Sequence, residues 1–152
     1  MDQVFSLANP TFKHFLGHSA ILIAKTLSVA VVTGFNRVGK RAFLNEEDAK
    51  ASIGGAPDGK PKSTPTIDRL VRMQRNDLEN VIPFILIAFL YTATKPDPET
   101  ALLHFRAFTA SRLLHSFIYF FALPINARAL CWSTGLTVTL SMVYTVFSNG
   151  AF

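Results

Sequence analysis

The sequence predicts an all-α integral membrane protein, a four-helix bundle in a single domain spanning residues 1–152. Three observations lead there. Hydrophobic residues make up 49% of the chain and charged residues only 16%, with fourteen phenylalanines against three tyrosines and one tryptophan. The apolar residues collect in long runs, whereas a soluble domain spreads them at amphipathic spacing. Between the runs lie segments rich in Gly, Pro and charge, which break helices. A chain of 152 residues has room for one domain, and no internal repeat is visible.

The first helix is expected over about residues 12–36. Its apolar run, FLGHSAILIAKTLSVAVVTGF, is about 20 residues long, enough at about 1.5 Å each to cross a hydrocarbon core of about 30 Å. It lacks a basic leading region and a small-residue cleavage site, and Arg37, Lys40 and Arg41 follow it. It therefore reads as a retained anchor and not as a signal peptide. Residues 37–66 form a polar loop rich in Gly, Pro and Lys, with a short helix expected near residues 45–52.

The second helix is expected over residues 67–94. Its apolar part begins only at Val81, too late to cross alone, so the helix must start earlier and carry the charged stretch RLVRMQRNDLEN into the membrane with it. Pro83 then falls inside the helix and should kink it. KPDPE is a tight loop, and the third helix follows over residues 100–122. LPIN makes the next turn, and the fourth helix runs over residues 127–148. The first loop carries Arg37, Lys40, Arg41, Lys50, Lys60 and Lys62, the second only Lys95. The positive-inside rule places the first loop in the cytosol and both termini on the far side.

The same residues exclude several function classes. Net charge is +5, but the excess is local and forms no basic stripe interleaved with aromatics, so nucleic-acid binding is not expected. A lone cysteine, Cys131, rules out an internal disulfide framework and a Cys-based zinc site, and reads as a small buried apolar residue. No metal is expected.

Two polar stripes carry the chemistry. Arg72, Arg75, Asn76 and Glu79 stand at i, i+3, i+4 and i+7, on one helix face. Arg112, His115, Ser116 and Tyr119 repeat the spacing on the third helix, and Arg128 heads the fourth. All fall in the cytosolic halves of their helices. An ionisable group inside a membrane helix costs about 2.5–3.5 kcal/mol on insertion scales, so these groups must pair or face a wet cavity. A stripe of this kind can be interfacial snorkelling or a structural salt-bridge network. Two matched stripes plus Arg128 favour a site. Arg72, Arg75, Arg112 and Arg128 against the single carboxylate of Glu79 leave a cationic surplus that suits an anion. Glu79 and Asn76 would suit an ammonium or a backbone amide of the same ligand. Lys25, near mid-membrane with His14, His18 and Ser28 on its face, is expected to form a structural ion pair with Asp77, which lies off the stripe.

RNDLENVIPF, LLHFRAF, SRLLHSFIY, LP…ARAL and VTLSMVY, spread from the first helix to Tyr144, resemble the MAPEG family of membrane-associated eicosanoid and glutathione enzymes. The Arg-Asn-Asp-x-Glu-Asn core with its following proline is the most specific of these. The nearest branch is the type-one microsomal glutathione S-transferases, with the microsomal prostaglandin E synthases as cousins. The resemblance implies a homotrimer of four-helix protomers in the endoplasmic reticulum membrane, or also the outer mitochondrial membrane, with sites between protomers near the cytosolic face. It implies glutathione as substrate or cofactor and a lipophilic electrophile dissolved in membrane lipid as the second reactant.

By motif, Arg75, Asn76, Glu79, His115 and Tyr119 would contact glutathione, with Arg72 and Arg37 at the cytosolic edge and Arg112 orienting or structural. Arg128 would be the catalytic residue at the thiol. Its guanidinium stays charged and so stabilises the thiolate.

Departures from the family pattern bear on the reading. Gln74 stands where the family usually has histidine. Ala129 stands where the prostaglandin synthases have a serine proposed to assist the thiol, and Trp132 where they have a tyrosine. FLNEED replaces FANPED, keeping Asp48 in an altered context. Ala49 occupies the position of a loop cysteine through which thiol reagents activate mammalian relatives, so that switch should be absent. The function implied is a detoxifying glutathione transferase, with peroxidase activity toward lipid hydroperoxides. The alternative is a glutathione-dependent prostaglandin E synthase, against which Ala129 counts. A non-catalytic lipid-binding protein is a third reading, and a transporter is disfavoured by the missing inverted repeat.

Overall fold

The computed structural model describes residues 4–51 and 54–149. Ser52, at the end of the expected short helix, and residues 150–152 lie outside them. Among the described residues there are five helices and no strand: α1 (Pro10–Gly39), α2 (Glu46–Ala49), α3 (Pro65–Ala93), α4 (Pro98–Phe120) and α5 (Ile125–Ser148). The four-helix expectation is thus amended to four long helices plus the single turn α2 in the first loop.

Helix starts follow from local chemistry. Asn9, Thr64 and Asp97 are the N-caps of α1, α3 and α4, and each precedes a proline (Pro10, Pro65, Pro98) at the first helical position. There the missing N–H is no loss and the fixed φ is already helical. The cap side chains accept from Thr11 N–H (3.0 Å), Ile67 N–H (3.3 Å) and Thr100 N–H (2.8 Å) respectively. Each of these helices is closed by a residue in the left-handed region just past its end, Arg41, Lys95 and Ala122, with φ of 47°, 54° and 56°. None is glycine, so each carries a strain that glycine would relieve.

Two of the helices, α1 and α5, are long and apolar enough to cross a membrane by length and composition. Large apolar side chains on these helices, among them Leu27, Val31, Leu130 and Leu140, are exposed, as lipid-facing residues would be. At about 1.5 Å per residue α3 and α4 are as long, but α3 bears the charged stripe. Pro83 lies within α3 and cannot donate to the carbonyl of Glu79.

Helix α1 packs on α3 and α4, and α5 packs on α4 and α3. The core divides along the bundle axis. The larger apolar cluster joins Phe15, Leu22, Val81, Phe84, Ala88, Tyr91, Phe105, Phe108 and Met142. Phe84 stacks on Phe108 with ring centroids 3.6 Å apart and meets Phe105 edge-on. A smaller cluster, Val29, Leu70 and Met73, lies toward the loop that carries α2. Between the two in sequence on each helix stand the buried polar groups Lys25 on α1, Asp77 on α3, and Arg112 and His115 on α4.

Cross-helix hydrogen bonds clamp the other end: His18 Nδ1 with Thr109 Oγ1 at 2.9 Å, and His104 Nε2 with Ser141 Oγ at 2.6 Å. Gly135 lets α5 approach α4 closely. A Cβ there would stand 3.3 Å from Ser111 Oγ and 3.5 Å from the Phe108 ring.

Candidate functional site

One cavity of about 390 Å³ opens on the α3, α4 and α5 side of the bundle, a volume within the range of small-ligand sites. Its walls come from three helices. α3 contributes Arg72, Arg75, Asn76 and Glu79, α4 contributes His115 and Tyr119, and α5 contributes Ile125, Arg128, Ala129 and Trp132. The four α3 residues form the i, i+3, i+4, i+7 stripe, and the helix turns that whole face toward the cavity.

The α4 stripe divides. His115 and Tyr119 face the cavity. Arg112 is fully buried behind them, and Ser116 faces a separate groove with Lys25 and Phe117. The reason is geometric: residues three and four apart flank the stripe axis by tens of degrees, and α4 presents only one edge to α3 and α5.

Electrostatically the cavity is cationic. Three guanidiniums face one carboxylate, and Arg75 Nε donates to Glu79 Oε1 at 3.0 Å along α3. Both side chains are largely exposed, so this pair contributes little stability and a ligand can rearrange it. The guanidinium of Arg128 lies over the Tyr119 ring, 4.3 Å from its centroid, a cation–π contact that positions the charge without neutralising it. Tyr119 in turn packs against His115, ring centroids 5.7 Å apart. A fixed, unneutralised cation beside an apolar wall (Ile125, Ala129, Trp132) suits stabilising an anion close to hydrocarbon.

Of the residues singled out by sequence, seven meet in this cavity: Arg72, Arg75, Asn76, Glu79, His115, Tyr119 and Arg128. Arg37 does not line it. It lies in the last turn of α1, which packs on α3 and α4 and not on α5, so within one chain it stays away from the cavity. Lys25 and Asp77 form a salt bridge between α1 and α3, with side-chain exposures of 8% and 0%. Arg112 donates through Nη1 to Asn76 Oδ1 at 3.4 Å. Ile125 was not singled out by sequence, and Ala129 and Trp132 entered only as departures from the family pattern beside Arg128; all three line the cavity, and their spacing around Arg128 marks one face of α5. Among the described residues no group of three or more His, Cys, Asp or Glu side chains gathers as metal ligands would.

The MAPEG family model matches residues 15–148. The human protein named microsomal glutathione S-transferase 1 is 39% identical over 152 residues, covering 98% of this chain and 97% of that one. The bovine protein of the same name is 38% identical over 94% of this chain and 93% of its own length. Human prostaglandin E synthase is 32% identical over 95% and 93%. By the extent of the family match and by these identities, the chain belongs to the MAPEG family.

Proposed function

We propose that the protein is a membrane-bound glutathione transferase that conjugates the glutathione thiolate to lipophilic electrophiles and reduces lipid hydroperoxides. The observation that carries this reading is the convergence of three arginines, Asn76, Glu79, His115 and Tyr119 from three helices on one cavity. Glutathione brings two carboxylates, an ammonium and a thiol. Arg72 and Arg75 take carboxylates, Glu79 takes the ammonium, and Arg128 sits at the sulfur. The names of the relatives, glutathione S-transferases at up to 39% identity, support the same substrate.

Arg128 acts on the ionisation of the thiol. An ordinary thiol of pKa about 8.5 is only a few per cent thiolate at neutral pH. A permanent positive charge alongside favours the anion, by about one to three pH units for a close pair. The thiol proton passes to water, the sulfur lone pair forms the S–C bond, and the electrophile's leaving group departs or its double bond takes the charge. With a hydroperoxide, the thiolate attacks the terminal oxygen, an alcohol leaves, and a second glutathione converts the sulfenic product to disulfide and water.

Four membrane-crossing helices, a cytosolic first loop and an endoplasmic reticulum location complete the proposal, supported by the loop charges and the microsomal relatives. A homotrimer would bring a neighbouring copy's α1 beside each cavity, and with it the Arg37 that the single chain keeps away.

The test is product analysis. The purified protein is incubated with glutathione and an activated aryl halide, and separately with a prostaglandin endoperoxide. A thioether formed by the wild type and lost in Arg128→Ala supports the transferase. Prostaglandin E as the only enzymatic product would transfer the protein to the synthase reading, despite the methyl group that Ala129 presents to the cavity.

A further inference from the structure

Behind the cavity wall three charged side chains from three helices form a chain: Lys25 on α1, Asp77 on α3 and Arg112 on α4. Lys25 Nζ donates to Asp77 Oδ1, whereas Asp77 and Arg112 share no hydrogen bond and attract one another only as opposite charges, Asp77 Oδ2 and Arg112 Nε and Nη2 being without a protein partner among the described residues. Asp77 and Arg112 are both fully buried. The chain does not stop in the core. Arg112 Nη1 reaches Asn76 Oδ1 at 3.4 Å, and Asn76 lines the cavity.

A guanidinium has only donors. The Asn76 atom that faces it is therefore the carbonyl oxygen, and the amide NH2 is the group left to the cavity. We infer that Arg112, buried behind the cavity wall, is a positioning residue that fixes the Asn76 amide with its NH2 toward the ligand, so that Asn76 recognises a carbonyl or carboxylate oxygen.

This rests on the proposed reading for the identity of the ligand, and of the two partners expected for Asn76, an ammonium or a backbone amide, it favours the amide, through its carbonyl. The Asn76 oxygen is turned toward Arg112, so the ammonium falls to the Glu79 carboxylate. Rotating the amide would bring NH2 against a buried guanidinium, two donors facing each other with no acceptor between them. The device selects at a position where asparagine could otherwise serve either polarity. Arg112 sets the selection from outside the cavity, since it does not line it.

The test uses the full-length protein in lipid nanodiscs. Arg112→Met removes one cation and leaves Lys25 and Asp77 as a neutral pair, so the variant is expected to fold. With asparagine labelled by nitrogen-15, the Asn76 side-chain amide signal is assigned by its loss in Asn76→Ala. In ligand-free protein that signal should move in Arg112→Met and stay near its wild-type position in Arg112→Lys, which keeps a donor. An Asn76 signal indifferent to both variants would overturn the relay, whether or not glutathione binds.

Glutathione affinity supplies the second readout. Arg112→Met should raise Kd about tenfold, the loss of about one charge-assisted hydrogen bond. In the Asn76→Ala background the same change should do almost nothing. An equal loss in both backgrounds would show Arg112 acting by another route. A wild type that binds no glutathione while the amide signal responds as expected would retire the ligand assignment and leave the positioning role standing.

Discussion

Removing the one negative charge from the buried trio should be worse than removing either positive charge. Lys25, Asp77 and Arg112 together carry a net charge of +1, with side-chain exposures of 8% and 0% for the salt-bridged pair and full burial for Arg112. Asp77→Asn raises the net to +2 and leaves two cations facing a neutral amide in a layer where Asp77 and Arg112 are fully buried. Breaking a buried pair in this way costs about 3–5 kcal/mol. Lys25→Met and Arg112→Met each leave one cation with Asp77, a net charge of zero. Neither strands a surplus charge, so each should cost less than Asp77→Asn: Arg112→Met, which leaves the Lys25–Asp77 pair whole, less than about 1.5 kcal/mol, and Lys25→Met, which takes the hydrogen-bonded partner of Asp77, more than that. The assay is thermal or denaturant unfolding of the four proteins in one detergent, followed by circular dichroism. Lys25→Met added to Asp77→Asn should recover part of the loss, because the second stranded charge goes with it. If Lys25→Met or Arg112→Met destabilises as much as Asp77→Asn, packing and not charge balance holds this layer together.

Three smaller effects test the frame around the site. Ala122→Gly, at φ 56° just past α4, should stabilise by about 1 kcal/mol, since glycine accepts the left-handed region without strain; an unchanged unfolding midpoint would contradict this. Gly135→Val should destabilise by about 1–3 kcal/mol by forcing α5 off Ser111 and Phe108, read as a lowered midpoint. The Asp97 carboxyl is held below its ordinary pKa by hydrogen bonds from the Thr100 N–H and hydroxyl. A depressed folded pKa contributes stability above the unfolded value of about 3.9 and loses it as pH falls through the folded one. Unfolding midpoints of wild type and Asp97→Ala should therefore differ at neutral pH and converge in acid.

The long helices were legible because apolar runs and Asn-Pro, Thr-Pro and Asp-Pro starts are local signals. The α3 stripe was legible for the same reason, since four residues at helical spacing share a face wherever the helix is put. What spacing alone could not settle was which edge of α4 meets its neighbours. Arg112 and Ser116 belong to the same stripe as His115 and Tyr119, yet the packing of α1 against α4 draws one into the core and the other to a different groove. The partnership of Lys25 and Asp77 follows from the cost of leaving either alone in an apolar layer. The engagement of the Asn76 oxygen by Arg112 depends on the distance between two helices, which no residue pattern encodes. Arg37 illustrates the converse: its motif resemblance placed it with the glutathione contacts, and the position of α1 keeps it away from the cavity of its own chain.

In the proposed function everything turns on Arg128 converting bound glutathione into a thiolate. The most direct measurement is the ultraviolet absorbance of the thiolate on mixing glutathione with the wild type and with Arg128→Ala at neutral pH, with binding measured in parallel by calorimetry. A thiolate signal is expected in the wild type and should be lost in the variant, with glutathione still retained through Arg72, Arg75 and Glu79. A wild type that binds glutathione without forming thiolate, or an Arg128→Ala protein that forms it undiminished, would contradict that role.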